Sequence, residues 1–196
     1  TKICFVIVLS LSLLLSAIPV VPAAADGETT ATETGYTYSV EITFGSLSFV
    51  YDWGTWSTSH LRYEADNSST NPASGTEQGF PGWYGFDGTA NKVSVKYLRS
   101  ETDTTQYDNL SVTLEYAPLT GTSAVGGVEM ELFTASDFSS GSKLDGTNNF
   151  ALTVRNNKAT DYWISLKGVP MSGSNSFDSD TLTAIGTLTF RLGKLS

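Results

Sequence analysis

The chain has 196 residues, of which 16% are charged, and its formal net charge is −9 at pH 7. The length favours a single domain, and a hydrophobic content of 40% is enough for an ordinary core. The acidic balance excludes a nucleic-acid-binding protein, because phosphate contacts need clusters of Lys and Arg. A single His (His60) and a single Cys (Cys4) exclude metal sites rich in these residues and a disulfide scaffold.

The first 25 residues have the pattern of a secretory signal peptide. After Lys2 no charged residue occurs before Asp26, and an apolar run over residues 3–15 is followed by prolines and three alanines at 23–25. We therefore predict cleavage after Ala25, export from the cell, and a mature chain without cysteine. The alternative is an uncleaved membrane anchor, because the uncharged stretch is long enough to span a bilayer.

The mature chain opens with a polar, acidic segment at residues 26–35, which predicts a short tether. Apolar and polar residues then alternate, as they do in strands with one buried and one solvated face. The alternating runs are residues 36–44, 47–51, 93–97, 110–116, 128–132, 150–154, 162–166 and 181–192. Clusters of Gly, Asn, Asp and Ser separate them, and no run after the signal has a sustained helical period.

Alternation of this kind is typical of antiparallel sheets with one wet face, rather than of buried parallel sheets. We predict an all-β protein, with residues 36–196 forming a single antiparallel two-sheet β-sandwich of about eight or nine strands. Both an immunoglobulin-like and a jelly-roll topology are compatible with the pattern. Within the last run, Gly186 predicts a β-bulge.

Two aromatic clusters lie in or beside predicted loops and make up a candidate ligand-binding platform. Its residues are Trp53, Trp56, Trp83 and Tyr84. Exposed aromatic rings stack on sugar rings, and neighbouring polar side chains bond the hydroxyls, so the clusters suit polysaccharide binding. The usual burial of large aromatic residues favours the alternative, in which these rings close the ends of the sandwich.

The first strand of the mature chain has a second interpretation. Its apolar residues form a five-position ladder directly after the tether: Tyr36, Tyr38, Val40, Ile42 and Phe44. A segment of this kind can enter the open sheet of a neighbouring subunit and complete its core, which makes the ladder a candidate assembly strand. The alternative is an ordinary first strand that pairs within its own domain, because local pairing is the rule.

The sequence contains no strong catalytic or metal-binding pattern. Glu129 and Glu131 stand roughly 6.6 Å apart if they share a strand face. That spacing is compatible with glycoside hydrolysis, but exposed glutamates are common on solvated strands. No serine-hydrolase or zinc-protease motif accompanies His60. Segments such as Asp178-Ser179-Asp180 offer oxygen ligands for Ca²⁺, although ordinary turns use the same residues. We predict no enzyme and no cofactor, with calcium as a minor alternative.

Short motifs carry a resemblance to known proteins. They are Phe49-Val50-Tyr51-Asp52-Trp53-Gly54-Thr55-Trp56, Gly82-Trp83, Asn91-Lys92-Val93-Ser94-Val95 and Ile185-Gly186-Thr187-Leu188-Thr189-Phe190. In these motifs the chain resembles a group of small secreted β-sandwich proteins of Gram-positive (Firmicutes) gut bacteria. That group has no established activity, so no functional residue is carried over from it.

In layout alone, the chain is similar to camelysin and to the TasA-type fibre proteins of biofilms. They share a signal peptide, a polar lead segment and one β-sandwich, and the likeness implies subunits that exchange strands. We therefore expect a secreted, cell-surface-associated, non-catalytic protein with a structural or adhesive role. Its expected partners are other surface or matrix proteins, itself, or polysaccharide, and a membrane only through an uncleaved signal segment. The alternative function is a carbohydrate-binding module.

Overall fold

The computed structural model describes residues 2–12, 28–33, 36–99, 108–119, 125–172 and 182–195. Within these ranges the protein is all-β, with fifteen strands, one 3₁₀ turn at Ser140–Ser142 and no α-helix. The strands are β1 (Lys2–Ser12), β2 (Glu28–Glu33), β3 (Tyr36–Phe44), β4 (Ser48–Asp52), β5 (Thr55–Ser57), β6 (Arg62–Glu64), β7 (Gly82–Tyr84), β8 (Lys92–Arg99), β9 (Asn109–Pro118), β10 (Val125–Gly126), β11 (Glu129–Phe133), β12 (Asn149–Arg155), β13 (Ala159–Lys167), β14 (Met171–Ser172) and β15 (Thr183–Leu195).

Each of the eight alternating runs in the sequence corresponds to one of these strands. The first predicted run, residues 36–44, coincides with β3, and the last overlaps β15. The additional strands are of two kinds. Five are only two or three residues long, which is too short to show a period. The other two, β1 and β2, lie in the segments that the sequence assigns to the signal and the tether.

The strands form four sheets rather than the expected two. The six-stranded sheet has the order β12-β9-β15-β1-β4-β7, and the five-stranded sheet has the order β11-β13-β8-β3-β2. The other two sheets are the small pairs β5–β6 and β10–β14. Every pairing between the described strands is antiparallel except one, because β1 runs parallel to β15. The parallel pair joins two ends of the chain, where no tight turn is needed.

Strand alternation produces one hydrophobic cluster that includes residues of both large sheets. In β9 the buried positions are Leu110, Val112, Leu114 and Tyr116, each with an exposure of 2% or less. β8 contributes Val93, Val95 and Tyr97 to the same cluster. Because every second residue of a strand points to the same face, these sequences bury one face and leave the other polar.

A register irregularity interrupts β15 beside Gly186. Val6 is paired with Ala184 and Ile7 with Gly186, so Ile185 is the extra residue on β15. A Cβ added at Gly186 would lie 2.2 Å from a ring carbon of Tyr116, a distance that real Cβ contacts do not show. The hydroxyl of Tyr116 donates a hydrogen bond to the carbonyl of Ile185 at 3.1 Å. Glycine is therefore needed at this position to let the Tyr116 ring approach the backbone.

Candidate functional site

β1 occupies an interior position in the six-stranded sheet, although it lies in the predicted signal segment. It pairs with β15 over eight residue pairs, from Phe5↔Thr183 to Ser12↔Arg191, and with β4 over five. The side chain of Ile7 is 2% exposed and belongs to the hydrophobic cluster. Burial of one such side chain contributes about 1.5–3 kcal/mol. The predicted hydrophobic segment of the signal is thus a structural strand in the uncleaved chain.

The position of β1 is staggered between its two neighbours. Only Phe5 and Val6 are paired on both sides; the residues before them pair with β4, and those after them pair with β15. The backbone N–H of Ile7 donates a hydrogen bond to the carbonyl of Leu47, the residue directly before β4, at 3.1 Å. We call the place that β1 occupies, between β4 and residues 183–191, the β1 slot. The predicted cleavage site at residues 23–26 lies outside the described residues.

The candidate assembly strand, residues 36–44, forms β3 and pairs within its own chain. It lies between β2 and β8, and its pairing with β8 runs from Tyr38↔Arg99 to Phe44↔Val93. Tyr38, Val40 and Ile42 are buried in the cluster, and Phe44 packs against it. Removing β3 from this sheet would therefore open the core of the same chain. Its role in exchange between chains stays a prediction.

Asp52 holds together the loop that follows β4. Its side chain is 1% exposed and accepts hydrogen bonds from the N–H of Gly54 at 2.8 Å, the N–H of Asp66 at 2.9 Å and the hydroxyl of Ser69 at 2.6 Å. Burial by itself raises the pKa of this carboxyl, but the hydrogen bonds to its charged form outweigh burial and hold the pKa below its usual value. All of these contacts are structural, so Asp52 orders the loop.

The four residues of the predicted aromatic platform do not form one surface. Trp83 and Tyr84 are each 1% exposed, and the ring N–H of Trp83 donates to the carbonyl of Gly168 at 2.8 Å. Trp53 is half-buried against Tyr51, with ring centroids 4.8 Å apart, and Tyr51 in turn contacts Trp83 at 5.1 Å. The antiparallel pairing of β4 with β7 produces this cluster because it sets Tyr51 opposite Trp83. No sugar ring can stack on the two buried rings.

Trp56 is the one residue of the four that remains open to solvent, with an exposure of 50%. It lies on β5, directly opposite Tyr63 of β6, which is 57% exposed. Their ring centroids are 5.3 Å apart in an edge-to-face arrangement. The sequence pattern does not single out Tyr63, because only the pairing of β5 with β6 shows that the two rings face each other. We call Trp56 and Tyr63 the hairpin aromatic pair.

Polar side chains lie on the same hairpin as these two rings. Glu64 accepts a hydrogen bond from Nε of Arg62 at 2.9 Å and contacts Nδ1 of His60 at 2.8 Å. The Arg62 guanidinium also lies over the ring of Phe80, 4.5 Å from its centroid. The ion pair and hydrogen bond hold the pKa of Glu64 below its usual value, with the bond from Arg62 as the largest cause. His60 thus belongs to an exposed network of polar contacts around Glu64.

Glu129 and Glu131 take part in ion pairs across the sheet. β11 pairs with β13, which sets Glu129 opposite Lys167, and the Lys167 Nζ lies 3.0 Å from Glu129 and 3.5 Å from Glu131. Glu131 is only 6% exposed and binds Lys143 at 2.7 Å. The hydrogen bond that the Lys167 ammonium donates to Glu129 raises the pKa of Lys167. The expected solvated face is therefore partly buried, and lysines neutralise its carboxylates.

The structure was compared with the requirements of a metal site and of a membrane-spanning helix. In the described part of the chain, no group of three or more His, Cys, Asp or Glu residues is arranged to hold a metal ion. The calcium alternative at Asp178 and Asp180 falls outside the described residues, so it stays a prediction. Among the residues that the structure describes, no helix has the length and apolar character to cross a membrane.

Comparison with known proteins does not identify the chain. No protein family, no curated protein and no solved structure matches it. Functional conclusions therefore depend on the geometry of the chain itself.

Proposed function

We propose that this protein is an exported, non-catalytic structural subunit of the bacterial cell surface or extracellular matrix, which assembles with copies of itself by strand exchange. The proposal combines two observations. The sequence of the first 25 residues has the pattern of a cleaved signal, and the structure uses Lys2–Ser12 of that segment as an interior strand. The mature chain is then a β-protein that lacks one strand.

The proposed architecture is a two-layer β-sandwich, either immunoglobulin-like or jelly-roll. The six-stranded and five-stranded sheets are its two layers, and the small sheets β5–β6 and β10–β14 are additions in the connections. The shared hydrophobic cluster supports this arrangement, because it contains Val112 of the first sheet and Val95 of the second. Such a sandwich is a rigid module that suits a load-bearing surface or matrix role.

The proposal depends on the loss of β1 from the six-stranded sheet. β15 then keeps only β9 as a neighbour, and β4 keeps only β7. An open edge presents unpaired N–H and C=O groups and is a template for pairing with another chain. When the contact joins two different surfaces, it repeats from copy to copy and produces closed rings or open filaments. Assembly of the exported chain follows from this geometry.

The test uses the exported form, recovered from the medium of a Gram-positive expression host. Mass spectrometry reads its N-terminus, and size-exclusion chromatography with light scattering gives its mass; electron microscopy shows the shape of larger particles. We expect a chain beginning at Asp26 that forms multimers or fibres. The control is the uncleaved chain of 196 residues, which keeps β1. We expect this uncleaved chain to remain monomeric. An exported form that is monomeric at every concentration and salt level would contradict the proposal.

A second candidate function is carbohydrate binding at the hairpin aromatic pair. The exposed rings of Trp56 and Tyr63, with the neighbouring Arg62 and Glu64, supply stacking surface and hydrogen-bonding groups together. Titration with plant and mucin polysaccharides, followed by Trp fluorescence, tests it. We expect a response that Trp56→Ala abolishes and that Leu182→Ala, at another exposed apolar position, leaves unchanged. A response that survives Trp56→Ala would overturn this assignment.

A further inference from the structure

We propose that a cleft between β7 and the strand pair β11–β13 binds a neutral sugar unit. We call it the β7–β13 cleft, and the residues that line it include Tyr51, Thr76, Trp83, Glu131, Lys143 and Lys167. Its volume is about 440 Å³, which lies within the range of about 300–1,000 Å³ that is usual for ligand pockets. The inference does not rest on strand exchange, because none of the described residues of β1 lines the cleft.

The walls of the cleft are joined to each other by hydrogen bonds. The backbone N–H of Ser74, in the connection before β7, donates to the hydroxyl of the fully buried Ser165 on β13 at 2.8 Å. The ring N–H of Trp83 on β7 donates to the carbonyl of Gly168, just after β13, at 2.8 Å. A site with walls held in this way loses little conformational freedom when a ligand binds.

Two side chains of the cleft are almost fully buried and still have an oxygen without a partner. Tyr51 and Glu131 are each 6% exposed. In the described part of the chain, the hydroxyl of Tyr51 forms no hydrogen bond, and Glu131 contacts Lys143 and Lys167 through Oε1 alone. Every fully enclosed side-chain N or O atom in that part has a hydrogen-bond partner. The free hydroxyl and Oε2 of Glu131 must therefore reach accessible space, and the cleft is the space that both residues line.

The charged groups beside the cleft cancel one another. Nζ of Lys167 lies 3.0 Å from Glu129 and 3.5 Å from Glu131. Nζ of Lys143 lies 2.7 Å from Glu131. Two lysines and two glutamates leave no net formal charge, so a charged ligand would meet only charges that are already paired. An ammonium has three N–H donors, and both lysines therefore keep donors for a ligand.

This combination of groups fits the hydroxyls of a sugar. One hydroxyl can donate to Oε2 of Glu131 and accept from the ammonium of Lys143 at the same time. The hydroxyls of Tyr51 and Thr76 supply further groups that both donate and accept. Burial raises the pKa of Tyr51, so its hydroxyl keeps the proton that it donates. Trp83 is 1% exposed, and binding therefore depends on hydrogen bonds rather than on ring stacking.

Isothermal titration calorimetry of the full chain of 196 residues tests the inference. The probes are four neutral trisaccharides at millimolar concentration: maltotriose, cellotriose, mannotriose and xylotriose. We expect at least one of them to bind with one molecule per chain. A uronic-acid trisaccharide and a glucosamine trisaccharide are the charged counterparts, and we expect both to bind more weakly than the best neutral probe.

Tyr51→Phe removes one free hydroxyl and keeps the ring that contacts Trp53 and Trp83. Loss of one hydrogen bond between neutral groups should weaken binding about three- to tenfold. Tyr162→Phe is the matched control and should leave the affinity unchanged. Tyr162 is 4% exposed, its hydroxyl forms no hydrogen bond within the described residues, and it does not line the cleft.

Glu131→Gln keeps the size of the side chain and replaces the carboxylate with an amide. Hydrogen bonds to a charged group are stronger, so this change should weaken binding about tenfold or more. Urea unfolding checks that each variant is folded, and the two tyrosine variants decide the result if Glu131→Gln does not fold. Trp56→Ala separates the cleft from the hairpin aromatic pair and should leave the calorimetric affinity unchanged.

The outcomes are distinct from those of the assembly experiment. Binding that Tyr51→Phe weakens, and that Tyr162→Phe and Trp56→Ala leave unchanged, supports the cleft as the sugar site. Binding that survives Tyr51→Phe unchanged, or that only Trp56→Ala weakens, overturns it, as does the failure of all four neutral trisaccharides to bind. Tighter binding of either charged trisaccharide overturns the assignment to neutral sugars.

Discussion

Asp52 shows how much local order a single buried carboxylate provides. It connects the end of β4 to the backbone at Gly54 and Asp66 and to the hydroxyl of Ser69. We expect Asp52→Asn to lower the free energy of unfolding by about 1.5–3 kcal/mol, because hydrogen bonds to a charged group are replaced by weaker or mismatched ones. Urea unfolding measures the change. Asp137→Asn, at an exposed carboxyl, is the control and should change stability much less.

The same carboxylate makes a prediction about acid. The pKa of Asp52 in the folded protein lies below the ordinary value of 3.8. Ionised Asp52 therefore stabilises the folded state fully above pH 3.8. This stabilisation is lost as the pH falls from about 3.8 toward the pKa of Asp52 in the folded protein. Unfolding measured across this acidic range should show a steeper loss of stability in the wild type than in Asp52→Asn. Equal slopes would contradict the assigned role.

Two tryptophans of the predicted platform should respond to truncation in opposite ways. Trp83 is 1% exposed, so Trp83→Ala should cost about 3–5 kcal/mol of stability. Trp56 is half exposed, and Trp56→Ala should change stability by roughly 0.5 kcal/mol or less. Thermal or urea unfolding of both variants gives the comparison. Similar losses in the two variants would mean that the burial of these rings has been misassigned.

Residue identity predicts chemistry better than it predicts exposure. The sequence places Trp53, Trp56, Trp83 and Tyr84 together as loop aromatics, but it cannot show that the pairing of β4 with β7 buries Trp83. It likewise cannot show that β5 sets Trp56 against Tyr63. Both results depend on contacts between strands, and short strands of three residues have no periodicity that would reveal them.

At the scale of the elements, the bulge in β15 depends on a glycine. We expect Gly186→Ala to destabilise the protein, because the added Cβ would meet the Tyr116 ring at 2.2 Å and the Ala117 carbonyl at 2.8 Å. A loss of about 1–3 kcal/mol is the usual cost of overpacking. Gly126→Ala is the matched control, since its Cβ would meet no atom within 4 Å. Equal stability of the two variants would contradict the close approach.

The elements were largely predictable because alternation is a local signal. Every long run after residue 36 became a strand, from β3 to β15. The sequence did not predict β1 as a strand, because buried strands and signal peptides are both apolar. The alternation of Ile and Leu with Val and Ser in β1 is hidden in a continuous apolar run. Its parallel pairing with β15 joins residues far apart in the chain, which no local pattern reports.

At the scale of the whole molecule, charge should control the rate of assembly. The chain has 20 acidic and 11 basic residues, and export removes one of the basic residues, Lys2, so exported copies repel each other at low ionic strength. Salt near physiological concentration screens charges beyond about 8 Å, and the exported form should therefore multimerise faster in it than at 0.01 M. Light scattering followed over time at the two salt levels measures this. An unchanged or slower rate with added salt would contradict a contact made through backbone pairing and apolar burial.

The central claim is that export removes an interior strand and that the exported chain then assembles with copies of itself. Native mass spectrometry of the exported form tests this most directly, because one spectrum reports both the mass of the single chain and the number of chains in each particle. We predict a chain that begins at Asp26 and is found in particles of two or more copies. A chain that retains Lys2–Ser12, or a processed chain that is only monomeric, would contradict the account.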